Sequence, residues 1–193
     1  MKTIGLIGGM SWESSVSYYQ IINEEVKKRL GGLHSAQCIL YSVDFAEIEA
    51  LQSKGEWNKA GIVLTKAAQS LERAGAEVIL ICTNTMHKVA EQVGSNISVP
   101  LLHIADITAD KVQRHKIQTV GLLGTKYTME EDFYKSRLET RGIKVLIPDK
   151  GDREIVNRVI YQELCLGNIN QDAKAEFKRI IKTLVEQGAG GVI

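Results

Sequence analysis

Ile4–Gly9 reads IGLIGG and Val120–Thr125 reads VGLLGT, so the chain carries the same apolar, glycine-ended run twice. A short apolar run that ends in glycine is typical of a buried strand followed by a tight turn. Helical patterns alternate with further apolar runs after each copy, which is typical of a parallel α/β sheet. The sequence therefore predicts two α/β lobes, residues 1–98 and 99–193, with the boundary after the polar stretch Gly94–Ser98 and before Pro100.

Short apolar runs mark the predicted strands: Thr3–Ile7, Gln37–Ser42, Val78–Cys82, Leu101–Ile104, Thr119–Leu123, Lys144–Ile147 and Gly191–Ile193. Helices are predicted between them, over Ser14–Leu30, Asn58–Ala74, Met86–Val93, Thr128–Gly142, Asp152–Leu164 and Asp172–Gln187. The third of these has apolar residues at helical spacing, and the fourth begins with a sequence that fits a capping box.

Composition narrows the function classes. The net charge of the 193 residues is +1, without a basic stripe, so we expect no nucleic-acid partner. No apolar run reaches the roughly 18–20 residues of a membrane span, so no membrane partner is expected either. The three cysteines are widely spaced and form no CxxC pair. This pattern argues against a disulfide framework or a zinc site and favours a reducing, cytoplasmic location.

The segment Cys82–Thr85 (CTNT) follows a predicted strand, at the edge where open α/β sheets bind ligands. The loops Gly8–Ser11 and Gly124–Thr128 follow two other strands. A helix that begins after Cys82 would present free N–H groups, which bind anions and lower the pKa of a thiol. Cys82 is therefore either a reactive thiol or a buried structural cysteine followed by a capping residue.

The other cysteines and histidines give weaker signals. Cys38 lies within an apolar strand and Cys165 at a helix end, so both are expected to be packing residues. His87 follows CTNT closely and either supports the site or is a surface or capping residue. His103 ends a strand and is expected to be a structural group. The glycines of Ile4–Gly9 do not form a dinucleotide-binding motif, and no other nucleotide or metal motif is present.

Three strings together carry a family resemblance: GGMSWES at Gly8–Ser14, CTNTMH at Cys82–His87 and LGT at Leu123–Thr125. They resemble the aspartate/glutamate racemase family, the cofactor-independent amino-acid racemases. The resemblance implies two flavodoxin-like lobes related by a pseudo-twofold, with a cleft between them. It also implies a homodimer that acts on a small amino acid or dicarboxylate without PLP, metal or nucleotide.

The resemblance implies two cysteines on opposite faces of the substrate α-carbon, with Cys82 as the first. It assigns substrate binding to residues of the strand-end loops and of the first lobe: Gly9, Met10, Gln52, Thr83, Asn84, Thr85 and Thr125. The second cysteine of the family follows the strand that here reaches Ile193, and by the internal repeat it falls just past that residue. We therefore expect the sequence to be part of a longer enzyme, with the second lobe cut short.

Three functions fit these observations. The first is a racemase that interconverts L and D amino acids through two cysteines acting as acid and base. The second is an isomerase or decarboxylase of a small dicarboxylate that uses one cysteine. The third is a catalytically inactive module that binds a small molecule.

Overall fold

The computed structural model describes all residues from Met1 to Ile193. They form two compact units, Met1–His103 and Ile104–Ile193. The division therefore falls after His103, whereas the sequence predicts it between residues 98 and 99. The difference arises because Leu101 pairs with Ile79, so the strand after Pro100 belongs to the first sheet.

The first unit is built on a four-stranded sheet with the order β2-β1-β3-β4. Its strands are β1 (Ile4–Gly8), β2 (Cys38–Ser42), β3 (Val78–Ile81) and β4 (Leu101–Leu102). Its helices are α1 (Trp12–Leu30), α2 (Phe45–Ser53), α3 (Trp57–Arg73) and α4 (Ala90–Gly94), and a 3-10 helix spans Thr85–Val89. All pairings are parallel, which confirms the predicted class of sheet.

Strand β1 is at the centre of this unit. Ile4 lies opposite Cys38 on one side and opposite Val78 on the other. Leu6 and Ile7 have no exposed surface. A strand in the interior of a parallel sheet is covered on both faces, which explains why IGLIGG is apolar at consecutive positions instead of alternating.

The second unit is built on a three-stranded parallel sheet with the order β6-β5-β7. Its strands are β5 (Thr119–Gly121), β6 (Lys144–Leu146) and β7 (Gly191–Val192). Its helices are α5 (Ile104–Arg114), α6 (Lys126–Glu130), α7 (Asp132–Glu139), α8 (Lys150–Gln162) and α9 (Gln171–Glu186), with a 3-10 helix at Leu164–Leu166. Strand β5 lies between β6 and β7 as β1 lies between β2 and β3, so the two sheets share the topology that the repeat predicts.

Two helix predictions are wrong in detail. The helix predicted over Met86–Val93 is divided into the 3-10 helix Thr85–Val89 and the short α4. The helix predicted from Thr128 is divided into α6 and α7 by Glu131, whose backbone is extended (φ −89°, ψ 162°). The N-cap is Thr125, whose hydroxyl accepts a hydrogen bond of 3.4 Å from the Thr128 N–H, so the predicted capping box is also wrong. No helix has both the length and the apolar character needed to cross a membrane.

The loop after β1 requires glycine at Gly9. Its φ of +91° lies in the region that L side chains rarely adopt. A Cβ atom at this position would stand 2.2 Å from the carbonyl oxygen of Val43, far inside van der Waals contact. Gly75, at the end of α3, has a similar φ of +96°, but a Cβ atom there would meet no other atom within 4 Å.

We predict that Gly75→Ala lowers the free energy of unfolding by about 1–2 kcal/mol, because only backbone strain is added. Gly9→Ala should lower the free energy of unfolding by at least about 2 kcal/mol more than Gly75→Ala does, because the loop between β2 and α2 must also move. Chemical denaturation of both variants measures the difference. Equal destabilisation of the two would show that the contact with Val43 relaxes without cost.

Candidate active site

Two segments of the first unit meet at the carboxyl edge of its sheet. The loop Gly9–Ser11 follows β1, and the turn Cys82–Thr85 follows β3. These strands are adjacent and parallel, with Ile7 opposite Ile81. Both segments therefore leave the sheet side by side, at the edge where open α/β sheets bind ligands.

Two serine hydroxyls in the first turn of α1 hold these segments in place. Ser14 Oγ donates a hydrogen bond of 2.8 Å to the carbonyl oxygen of Cys82. Ser15 Oγ accepts a hydrogen bond of 2.8 Å from the Gly9 N–H. Neither serine is predicted as a site residue from the sequence. The available signal is a serine pair in the first helical turn after a glycine loop, since such hydroxyls often bond to nearby backbone.

The Cys82 side chain is fully buried. Its N–H donates a hydrogen bond of 2.9 Å to the carbonyl oxygen of Ile7, so the residue extends the pairing of β3 with β1. Burial raises the pKa of the Cys82 thiol to about 12. The expectation that a helix start lowers this pKa is therefore wrong, because the following helix is a five-residue 3-10 helix and desolvation dominates. Near neutral pH the group is a protonated thiol.

The next three residues differ in exposure. Thr83 is half-buried, Asn84 is exposed and Thr85 is buried. The carbonyl oxygen of Thr83 lies 2.8 Å from His87 Nδ1, and that of Asn84 accepts a hydrogen bond of 3.0 Å from the His87 N–H. His87 thus holds the backbone of the turn at two consecutive carbonyl oxygens. From the sequence, His87 either supports the site or is a surface or capping residue.

His87 is buried and packs against a second buried histidine, His103. Their ring centroids are 4.6 Å apart and the ring planes meet at 62°, an edge-to-face arrangement. His103 follows β4 directly and so reaches the same edge of the sheet. This pairing of residues far apart in the chain has no sequence signal.

Gln52 and Met10 lie in the same unit and are both buried. Gln52 is in the last turn of α2, and its Nε2 donates to Met86 Sδ at 3.0 Å. The side chain predicted to bind substrate is therefore next to the CTNTMH segment, with an amide proton directed at the Met86 sulfur. Met10 belongs to the loop after β1, beside Gly9.

The remaining predicted residues have other positions. Thr125 lies in the second unit, after β5, where it caps α6. Cys38 is in β2 and half-buried, and burial raises its pKa. Cys165 is half-buried in the 3-10 helix of the second unit. No three His, Cys, Asp or Glu side chains are grouped closely enough to hold a metal ion.

Comparisons with known proteins agree with the fold. The profile of the Asp/Glu/hydantoin racemase family matches residues 7–193. The chain belongs to this family. It is a racemase and hence an isomerase, which favours racemisation over the other reactions that fit the sequence.

Individual relatives extend over most of this racemase. A Yersinia pestis protein assigned to the Asp/Glu racemases is 57% identical in sequence, and its crystal structure superposes with a TM-score of 0.90. The match covers 100% of this chain and 84% of the Yersinia chain. An aspartate racemase homologue from Pyrococcus horikoshii is 36% identical with the same two coverages and a TM-score of 0.81. The broad-specificity amino-acid racemase of Bacillus subtilis is 25% identical over 160 residues, 81% of this chain and 69% of that protein.

The raised pKa of Cys82 predicts slow alkylation that accelerates with pH. A pKa of about 12 in place of 9.0 reduces the thiolate fraction near pH 8 by about 1,000-fold, and only the thiolate reacts. The rate with iodoacetamide should therefore rise about tenfold for each pH unit from 7 to 10. Mass spectrometry of the Cys82 peptide after timed alkylation measures it.

Cys165 in the same sample is the control, since it is half-buried. It should react much faster than Cys82 at pH 8. Equal rates for the two cysteines, or a Cys82 rate that levels off near pH 9, would contradict the raised pKa.

Proposed function

We propose that this racemase interconverts the L and D forms of aspartate, glutamate or a wider range of amino acids without a cofactor. The observation that carries the proposal is the Cys82–Thr85 turn, a thiol and three polar residues held rigidly at the binding edge of the sheet by Ser14 and His87. Racemisation removes the α-proton from one face of the substrate and returns a proton to the other. A rigid turn with several hydrogen-bonding groups suits both substrate binding and proton transfer.

Cys82 is proposed as the group that transfers the proton on one face. Its thiol is protonated near neutral pH because burial raises its pKa to about 12, so it is ready to donate. The same high pKa makes the thiolate a strong base once it forms, which suits an α-proton that is itself very weakly acidic. A dry environment strengthens the electrostatic contacts of the reacting groups.

Thr83 is the alternative proton-transfer residue in the same turn. Its side chain is half-buried, whereas that of Cys82 is fully buried. Thr83 is therefore the more accessible of the two neighbours to a bound amino acid. A hydroxyl is a weaker acid than a thiol, so its use would require stronger support from surrounding groups.

The substrate carboxylates are proposed to bind the loop and turn residues. Backbone N–H groups of Met10 and Thr83–Thr85 stabilise the negative charge that develops on the α-carboxylate when the proton leaves, whereas the Gly9 N–H is held by Ser15 Oγ and Gly9 contributes the shape of the loop. Gln52 and Thr125 are proposed to contribute polar contacts. No PLP or metal is assigned a role in this chemistry.

A two-cysteine mechanism places the second thiol at the matching strand end of the second unit. Ile193 exchanges backbone hydrogen bonds with Gly121 and Leu123 and so lies opposite Leu122. Leu80 lies opposite Leu6 in the first unit. In this register Ile193 matches Leu80, two residues before Cys82 in the first unit.

We predict that Cys82→Ser lowers the rate of α-proton exchange in deuterated water by at least about 1,000-fold, because the proton-transfer group is replaced by a much weaker acid. Exchange needs one acid/base group, whereas inversion needs groups on both faces, so the two are followed together by NMR and polarimetry with L-aspartate and L-glutamate. Cys38→Ser and Cys165→Ser should stay within threefold of the wild type, about 0.7 kcal/mol in barrier.

The outcomes separate the candidates. Near-normal exchange in Cys82→Ser with loss of exchange in Thr83→Val would assign the proton transfer to Thr83.

Racemase activity should survive treatment with EDTA, which removes metal ions, and with hydroxylamine, which traps PLP. Loss on either treatment, with recovery on addition of metal or PLP, would contradict a cofactor-independent reaction.

A homodimer is also proposed, in a cytoplasmic location that fits the three free cysteines. Helix α1 supports it with an exposed apolar stripe at helical spacing: Trp12, Val16 and Tyr19 are 64%, 52% and 53% exposed. An apolar stripe of this kind is typical of a surface that a partner covers.

We predict that light scattering of the wild type gives twice the chain mass of 21.4 kDa. Val16→Asp should give a monomer, because a charge would be buried in the apolar contact. Ile107→Asp is the matched control, since Ile107 is 53% exposed on a helix of the other unit. A monomeric wild type would refute the dimer, and a dimeric Val16→Asp would refute the use of α1.

A further inference from the structure

We propose that His87 is a positioning residue of the racemase, which fixes the Cys82–Thr85 turn through its ring, and that His103 holds that ring in place. The inference rests on the proposed function of the turn. It concerns two buried histidines that are assigned neither to proton transfer nor to substrate binding.

The first step is the direction of the ring contact. His87 Nδ1 lies 2.8 Å from the carbonyl oxygen of Thr83. A carbonyl oxygen can only accept, so Nδ1 carries the proton and donates it. The ring is buried, and a hydrogen bond shielded from water is difficult to replace when it is lost.

The second step is the effect on the turn. A peptide unit is planar, and its C=O and N–H point in opposite directions. By holding the Thr83 carbonyl, the ring fixes the direction of the Asn84 N–H. The His87 backbone N–H holds the Asn84 carbonyl at 3.0 Å and so fixes the direction of the Thr85 N–H. One residue therefore orients two consecutive N–H groups of the segment proposed to bind the substrate carboxylate.

The third step is the support of the ring itself. His103 meets His87 edge to face, with centroids 4.6 Å apart, within the range that aromatic pairs prefer. Both rings are more than nine-tenths buried. Rotation of the His87 ring away from Thr83 would require His103 to move as well, so the pair restricts the ring to the orientation in which Nδ1 faces the turn.

The chain offers a matched control and a conservative variant. His115 makes the same ring contact with a carbonyl four residues earlier, Lys111 at 2.9 Å, but on an exposed helix end. Asparagine can make this contact too, because Asn23 Nδ2 and Asn96 Nδ2 each donate to a carbonyl four residues earlier at 2.8 Å. His87→Asn should therefore retain the donor, whereas His87→Leu removes it.

The test compares His87→Leu, His87→Asn and His115→Leu. We expect kcat/KM with L-aspartate to fall about 10–100-fold in His87→Leu, since a small displacement of the turn has effects of this size. His87→Asn should recover at least half of the loss in log(kcat/KM). His115→Leu should leave kcat/KM at the wild-type value. The amide resonances of Asn84 and Thr85 should shift in His87→Leu and return towards the wild type in His87→Asn.

The two readouts keep this inference separate from the proposed function. Suppose that the wild type neither exchanges nor inverts amino acids, but that the Asn84 and Thr85 amide resonances shift in His87→Leu and return in His87→Asn. The proposed function then fails and the positioning role of His87 stands. If His87→Leu leaves both amide resonances and kcat/KM unchanged, the inference is overturned. His103→Phe guards against loss of folding, since it keeps the edge-to-face packing, and it should retain the wild-type amide resonances. Large shifts of these resonances in His103→Phe would refute the role given to His103.

Discussion

The parallel pairing of β1 with its two neighbours determines where the candidate site of the first unit forms. Ile7 is level with both Tyr41 and Ile81, so the loops after these three strands emerge at one edge. The pairing continues one residue further through the Cys82 N–H and the Ile7 carbonyl. Parallel strands require a long connection between them, and here each connection includes a helix. The first of these helices, α1, supplies the hydroxyls that join the loop after β1 to the turn after β3.

Burial and a helix start act in opposite directions on the Cys82 pKa, and burial is the stronger effect here. A helix terminus contributes at most a partial charge, worth roughly 0.3–1 kcal/mol in ordinary cases. Loss of hydration can shift a fully buried group by several pKa units, and each unit corresponds to about 1.4 kcal/mol. The five-residue 3-10 helix after the turn offers little dipole in compensation. The Cys82 thiol therefore stays protonated near neutral pH. A positively charged group of the substrate, or a hydrogen-bond donor next to the sulfur, would be needed to favour the thiolate.

The sequence predicts the strands and the class of the sheets because burial alone is enough to specify them. β1 and β3 are apolar at nearly every position, as interior parallel strands require, and α1 ends at Leu30 as predicted. Local rules fail where tertiary contacts compete with them. The apolar spacing of Met86 and Val89 is helical, yet the segment is 3-10, with the carbonyls just before it held by His87. The candidate site is predicted only in part, for the same reason. Cys82–Thr85 can be found because polar residues follow an apolar run at a strand end. Ser14, Ser15 and the two histidines cannot be found in this way. Their contacts are with backbone atoms or with each other, and such contacts leave no periodic pattern in the sequence.

The strand-end glycines show how the repeat has been used differently in the two units. A Cβ atom at Gly8 would stand 2.5 Å from Ser15 Oγ, and one at Gly124 would stand 2.9 Å from Thr128 Cβ. In each unit the glycine thus leaves room for a hydroxyl residue at the start of the next helix. In the first unit that hydroxyl accepts from the Gly9 N–H, so it shapes the loop, whereas in the second unit Thr125 accepts from the Thr128 N–H and caps α6. The common glycine is a packing requirement of the fold, since in both units a hydroxyl residue of the next helix occupies the space that its side chain would need.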